Sequence, residues 1–456
     1  MSISVSSQAR RISEYTQGFS ESYSKSLEYP YLRMQTTATS PVSPEISESE
    51  ASSSPDKYTS RVDIPLLVED IEVGGTTKYQ GIFNTINILM GISILTLPYA
   101  LHLCGIVVGL SLFIAYSLIT NYTGKLLGKC MQNPNLNTYS DIAHEAFGKY
   151  GSIVSFVFIL ELLAAGVALL ILVEDSVFVF TDMNGNYVKI AAYLVVTPFL
   201  WSNSLRLLSY TSLVGITTFV YLLFLLIGEG LITTEQPGSL RQPMPVYLMP
   251  REFWKVWLSS GLIMASYAGH GCTPSVFVDL KDKKEFSSLL NISYICVFSV
   301  YMLVAVCGYL IFGETIANEI TISMSNVVGY SKFANNVLIS LMIIGPLTKY
   351  PLVVRPITTN LEIWLSEYFD RSFVILRNIC RTGASTAILL ISLAFPSFDK
   401  VIGIVGSLFS FVVSVILPCI FYLRICQVGT GEKLFILFVI VLSIPISILG
   451  TIAAFQ

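Results

Sequence analysis

Three observations predict an all-α polytopic membrane protein with about eleven transmembrane helices. First, 53% of the 456 residues are hydrophobic and only 12% are charged, whereas soluble domains carry about 25% charge. Second, apolar runs of the ~20 residues needed to cross a ~30 Å hydrocarbon core recur from Gly81 to the C-terminus. Third, two of these runs, five spans apart, carry glycine-containing interruptions near their middles.

The charge deficit excludes an ordinary water-soluble enzyme. Net charge is −3 and no basic stripe with interleaved aromatics occurs, so nucleic-acid binding is set aside. The eight cysteines lie in or beside apolar segments without CxxC pairs or metal-ligand spacing, and read as packing residues rather than disulfides or a metal site. No cofactor motif is present. A charged leader followed by an apolar core is not evident, so insertion is expected from the helices themselves. Residues 1–76 are Ser-rich with scattered Pro and Glu, too polar to bury a core, and predict a disordered cytoplasmic tail ahead of a transmembrane domain over 77–456.

Hydropathy places spans at 80–102, 106–127, 152–174, 188–204, 209–232, 257–278, 288–312, 333–354, 375–395, 400–422 and 434–455. Cytoplasmic loops are enriched in Lys and Arg. One set of alternate loops holds Lys125, Lys129, Lys149, Arg206, Lys281, Lys283, Lys284, Arg355, Arg371, Arg377, Arg381, Arg424 and Lys433. The other holds Lys189, Arg241, Arg251, Lys255, Lys332 and Lys400. The tail, with Arg10, Arg11, Lys57, Arg61 and Lys78, falls on the richer side. The N-terminus is therefore expected in the cytoplasm and the C-terminus in the lumen or outside. The sequons at Asn121 and Asn291 then fall at a cytoplasmic helix end and inside a helix, and neither is expected to be glycosylated.

Unsatisfied backbone groups cost several kcal/mol each in lipid, so irregular backbone at membrane depth is confined to protein-lined or cavity-lined places. The first span runs from Asn84 through Asn87, Gly91, Ile92 and Ser93 to Pro98, and the sixth from Ala265 through Tyr267, Gly269, His270, Gly271 and Thr273 to Pro274. Any one glycine is explained by close helix packing. The matched pair points instead to a transporter whose substrate sits between the interrupted helices. There, half-helix N-termini hold a carboxylate and freed carbonyls a cation or ammonium.

At these residues the chain resembles the amino acid/auxin permease family, and within it the fungal and plant vacuolar amino acid transporters and the vesicular inhibitory amino acid transporter. The resemblance covers nearly everything after residue 77. It rests on Asn84 to Ala100, Glu161-Leu162 with Leu172 to Asp175, Leu208 to Gly215, Gly269-His270-Gly271 with Lys281-Asp282, and Leu347 to Pro351. It implies the leucine-transporter-type fold, with spans 1–5 and 6–10 as a 5+5 inverted repeat plus one extra helix, and a vacuolar or lysosomal membrane. The chain departs from many members in carrying Ser93 where they have a second glycine in the first interruption.

Charged side chains at the centre of a membrane cost at least ~2.5–3.5 kcal/mol and usually serve function. Glu161 lies near the middle of the third span. Desolvation favours the neutral form of a carboxyl, which suits proton exchange; the rival reading is a neutral acid bonded to a neighbouring helix. His270 reads as a proton carrier, a pocket donor or a packing residue. Lys349 either snorkels to the cytoplasmic surface or, by the resemblance, places its ammonium where sodium-coupled relatives bind a cation, with Thr348 as the alternative sodium ligand. Glu174, Asp175 and Glu229 read as solvated rim charges near non-cytoplasmic helix ends, or as the lining of a vestibule.

These features predict secondary active amino acid transport, coupled to protons as an antiport across an acidic organelle membrane. The expected partners are an amino acid substrate, protons or sodium, and the lipid bilayer. Asn87, Gly91, Ile92, Ser93, Tyr267, Gly269, His270, Gly271 and Thr273 are the substrate-site candidates; Glu161, His270, Thr348 and Lys349 are those for ion coupling. A sodium-coupled plasma-membrane transporter and an amino acid sensor that signals through the Ser-rich tail are the alternatives, and a channel ranks behind them. Walker, HExxH and GxSxG motifs are absent, so an enzyme is not expected.

Overall fold

A computed structural model describes residues 76–456 except 134–135, 182, 202–204, 367–372 and 396. Residues 1–75 of the Ser-rich tail, with Arg10, Arg11, Lys57 and Arg61, and Arg371 lie outside the described residues.

The chain opens with α1 (Lys78–Leu89). Thr77 starts it with a capping box, its side chain accepting from the Gln80 amide while the Gln80 side chain accepts from the Thr77 amide. Gly91 is extended, and Ile92–Thr96 forms a 3₁₀ turn that leads into α2 (Leu97–Cys104). Pro98 sits in the first turn of α2, where its missing N–H costs nothing. The two halves of this segment meet at 54°. Gly105 at φ 75° ends α2 and begins α3 (Ile106–Cys130). A side chain there would run into the Met249 backbone.

The short α4 (Tyr139–Phe147) precedes α5 (Gly151–Thr181), α6 (Gly185–Trp201) and α7 (Leu205–Ile232). A second interrupted segment follows. Helix α8 (Lys255–Ser266) stops at Tyr267, Gly269 takes φ 156°, and a 3₁₀ turn (His270–Cys272) enters α9 (Thr273–Asp279). Next come α10 (Phe286–Phe312), the small α11 (Ile320–Ser325), α12 (Lys332–Ser366) and α13 (Phe373–Ala394). Helix α14 (Phe398–Ile404) passes through π-helical turns at Val405–Ser410 and Val412–Ile416 into α15 (Leu417–Ile425), and α16 (Thr430–Phe455) closes the chain.

Among the described residues six stretches are long and apolar enough to cross a membrane: Ile106–Cys130, Tyr139–Thr181, Val214–Ile232, Lys283–Thr315, Phe398–Ile425 and Thr430–Phe455. The bent pair α1–α2 makes a seventh when counted as one span. Several helices outrun the expected spans: α5 reaches Thr181 and α12 reaches Ser366. Asn121 lies inside α3 rather than at its end.

Helices α5, α6, α12 and α13 pack against one another, while α1, α2, α8 and α9 pack against α3, α10 and the α14 π-helical segment. Two contacts tie the interrupted segments together on the face that carries Lys281. The Thr76 amide donates to the Asp279 carbonyl at 2.7 Å, and the Lys281 amide to the Thr76 carbonyl at 3.1 Å. On the opposite face α11 lies over α5, α12 and the Ile92–Thr96 turn.

Candidate functional site

The backbone freed by the two interruptions meets at one side chain that sequence reasoning missed. The Tyr301 hydroxyl, on α10, lies 2.6 Å from the Leu89 carbonyl at the end of α1 and 3.0 Å from the Ser266 carbonyl at the end of α8. A phenol has one proton to donate. It serves the nearer carbonyl better, and leaves Ser266 O as the more available acceptor. Tyr301 is fully buried, and its ring meets Tyr267 edge-on, 5.7 Å between centroids.

The sequence-predicted residues fall into three groups around this point. Gly269 presses against Ile88 and Leu89, so that a Cβ there would lie 2.9 Å from Ile88 Cγ2. With Thr273 it lines a cavity of about 10 Å³ together with Thr85, Ile88, Gly124 and Tyr294. That volume holds about one water, so the site is closed around its backbone. Asn87, Gly91 and Ile92 are partly buried along the first interruption and Ser93 is buried. Asn87 Oδ1 is buried with no hydrogen-bond partner among the described residues.

His270, Gly271 and Tyr267 do not line that cavity. The Tyr267 ring is fully buried and stacked on Tyr294, and its hydroxyl donates to the Phe113 carbonyl at 3.4 Å. Gly271 faces the Phe158 ring of α5. His270 Nε2 lies 3.0 Å from the Thr120 carbonyl and 3.0 Å from Thr123 Oγ1. A carbonyl only accepts, so the proton sits on Nε2. Nδ1 is then a bare acceptor, buried without a partner among the described residues. Thr123 in turn donates to the Ser414 carbonyl at 2.7 Å, a carbonyl of the π-helical segment. Thr123 and Ser414 were not singled out from sequence.

Glu161 is half-buried on α5 and faces the other π-helical turn, where Ser410 Oγ lies 3.4 Å from Glu161 Oε1. The same hydroxyl donates to the Val405 carbonyl at 3.0 Å, a carbonyl that the π-helical winding leaves available. Thr348 bonds back to the Gly345 carbonyl of its own helix. Lys349 Nζ sits 5.3 Å from the Phe219 ring centre, against Gly215 of α7. Among the described residues, no group of His, Cys, Asp and Glu could hold a metal ion.

The expected rim charges are less solvated than expected. Glu229 is buried and accepts from the Ser331 amide at 3.1 Å. Glu174 forms an ion pair with the buried Lys189 at 2.8 Å. Glu229 is thereby withdrawn from water, whereas Glu174 stays partly exposed beside Lys189.

An all-α membrane bundle with two interrupted helices meeting at a closed, backbone-lined point defines the class: an integral membrane solute transporter. The chain belongs to the transmembrane amino acid transporter protein family, whose model matches residues 74–456. Relatives include amino acid transporter AVT1D of Arabidopsis thaliana, 29% identical over 82% of this chain and 69% of that one. AVT1J of the same plant is 30% identical over 79% and 85%. A sodium-coupled neutral amino acid symporter 2 of Danio rerio is 23% identical over 78% and 76%. Among solved structures, a nucleobase-cation-symport-1 family transporter, Mhp1, in a closed conformation aligns at 12% identity, with a TM-score of 0.49 over 83% of this chain and 90% of that one. These relatives are transporters rather than enzymes.

Proposed function

We propose that the chain is a secondary active amino acid transporter that exchanges its substrate for protons across a vacuolar or other acidic organelle membrane. The observation that carries the reading is the single Tyr301 proton set between two freed carbonyls. Ser266 O, in this reading, accepts from a substrate ammonium, and the amides that open the Ile92–Thr96 and His270–Cys272 turns hold its carboxylate. In this reading Asn87, Gly91, Ile92, Ser93, Gly269 and Thr273 surround the zwitterion, whereas Tyr267, Gly271 and His270 shape it from behind.

Counting the two interrupted segments and α6, α12 and α13 as spans gives the eleven expected, arranged as the inverted repeat with α16 as the extra helix. The Lys281 face is then cytoplasmic and the α11 face luminal. Residues 1–76 serve as a cytoplasmic tail. Glu161, bonded to Ser410 beside the π-helical turn, is the proton partner. The experiment is uptake into proteoliposomes. Amino acid accumulation is expected to follow an imposed pH gradient, and accumulation indifferent to that gradient overturns proton coupling. Glu161→Gln is expected to abolish gradient-driven accumulation and to keep exchange of labelled for unlabelled substrate.

A sodium-coupled alternative is favoured by the Danio rerio relative's name, with Thr348 as ligand. Thr348 donates to Gly345 O and keeps its oxygen lone pairs for a cation; against the sodium reading, the Lys349 ammonium adds positive charge one residue on. Replacing external sodium by choline separates the two readings, since only the sodium reading loses uptake.

A further inference from the structure

The cap helix α11 begins at Glu319, whose side chain is 1% exposed although it lies in the loop between α10 and α12. Its Oε2 lies 3.5 Å from the Thr321 hydroxyl, which donates to it. Its Oε1 is buried with no donor among the described residues. Helix α11 packs against α5, and the Asp175 carboxyl of α5 is the neighbouring acid that acts on Glu319. Two carboxylates are both acceptors, so the contact is satisfied only when one proton lies between them.

The other charged groups around the pair are already engaged. Glu174 of α5 pairs with Lys189 of α6, and Lys189 also donates to the Ser392 carbonyl at 2.9 Å. Asp399 of α14 accepts from Asn318 Nδ2 at 3.0 Å, and its charge also reaches Glu319. Helix α12 contributes an uncharged amide, Asn335, whose Nδ2 donates to the Met324 carbonyl at 3.3 Å. Neither the Lys189 cation nor any other donor is left to neutralise Glu319 Oε1 among the described residues.

We propose that Glu319 and Asp175 form a proton-binding site, in which one shared proton latches α11 onto α5 and over the outer half of the first interrupted span. Burial, and then the neighbouring Asp175, hold the Glu319 carboxyl well above the usual carboxylate range. The sign follows: a group that holds its proton more tightly in the latched state stabilises that state at low pH and releases it as pH rises. With the proton gone, two buried anions face each other and the cap lifts. If the α11 face is luminal, as the reading above has it, an acidic lumen keeps the cap down and a neutral one frees it. The latch rests on that reading only for its compartment.

The test is hydrogen–deuterium exchange of residues 316–327 in the purified full-length chain across a pH series, corrected for intrinsic exchange, with no transport required. Loss of one proton makes the opening equilibrium rise about tenfold per pH unit over the titration range. Glu319→Gln supplies a permanent donor to Asp175, so protection is expected to stay high and lose its pH slope. Asp175→Asn reverses the donor and is expected to behave alike, which guards against failure of one variant to fold. Glu319→Ala is expected to be unprotected at every pH. Wild-type protection with no pH slope, or Glu319→Gln that keeps the wild-type slope, overturns the proposal. Uptake that ignores a pH gradient while the latch still titrates refutes the proton antiport alone.

Discussion

At the scale of single residues, Tyr301 concentrates the most consequence in one atom. Tyr301→Phe keeps the ring packing against Tyr267 and removes the proton that serves Leu89 O, the nearer of the two carbonyls it meets. A buried carbonyl left without a partner costs about 1–3 kcal/mol, so the variant is expected to melt earlier in detergent and to lose most of its transport. Thermal unfolding and exchange assays on the same preparation check this; an unchanged melting point and full transport would show the hydroxyl to be dispensable. Glu161 was legible in the sequence because a carboxylate in an apolar span stands out against its neighbours. Tyr301 was not, since an aromatic in a membrane helix reads as packing until the carbonyls it meets are located. Glu319 was hidden for the opposite reason: a glutamate in a loop reads as solvated, and only the folding of that loop onto α5 buries it.

At the scale of elements, the interruptions are set by chain chemistry that can be read locally. Gly269 holds φ 156°, where a side chain costs about 1–2 kcal/mol in backbone strain, and its Cα faces Ile88 too closely for a Cβ. Gly269→Ala is expected to separate α1 from α9 and lower substrate affinity, measurable as a raised half-saturating concentration in exchange. Thr77→Ala removes the capping box of α1 at about 0.5–2 kcal/mol. It is expected to fray the first turn of α1, read as faster amide exchange over residues 78–81, while leaving α9 protected. The hydrophobic runs gave away the long helices and both Pro-marked restarts. They said nothing of α11, whose six residues are too few to display a periodicity, nor of the π-helical turns at Val405–Ser410 and Val412–Ile416, which depend on how α14 seats against α8.

At the scale of the whole molecule, the distribution of Lys and Arg over alternate loops is a claim about insertion that one label can test. An epitope after Gln456 is expected to be reached by antibody only from the luminal or external side, and detection from the cytoplasmic side without permeabilisation would invert the orientation. Deleting residues 1–70 is expected to leave uptake intact, whereas a sensor would lose its signalling partner and still bind ligand. The family and the membrane location were legible because they are written in consecutive residues. The closed geometry was not, because it depends on contacts such as that between Thr76 and Asp279, 203 positions apart. That rung has a mechanical meaning. Thr76 is grasped by the end of α9 on one side and runs directly into α1 on the other, so tension applied to the preceding segment is divided between both interrupted helices. Whatever grips the tail therefore holds a handle on both interrupted helices at once.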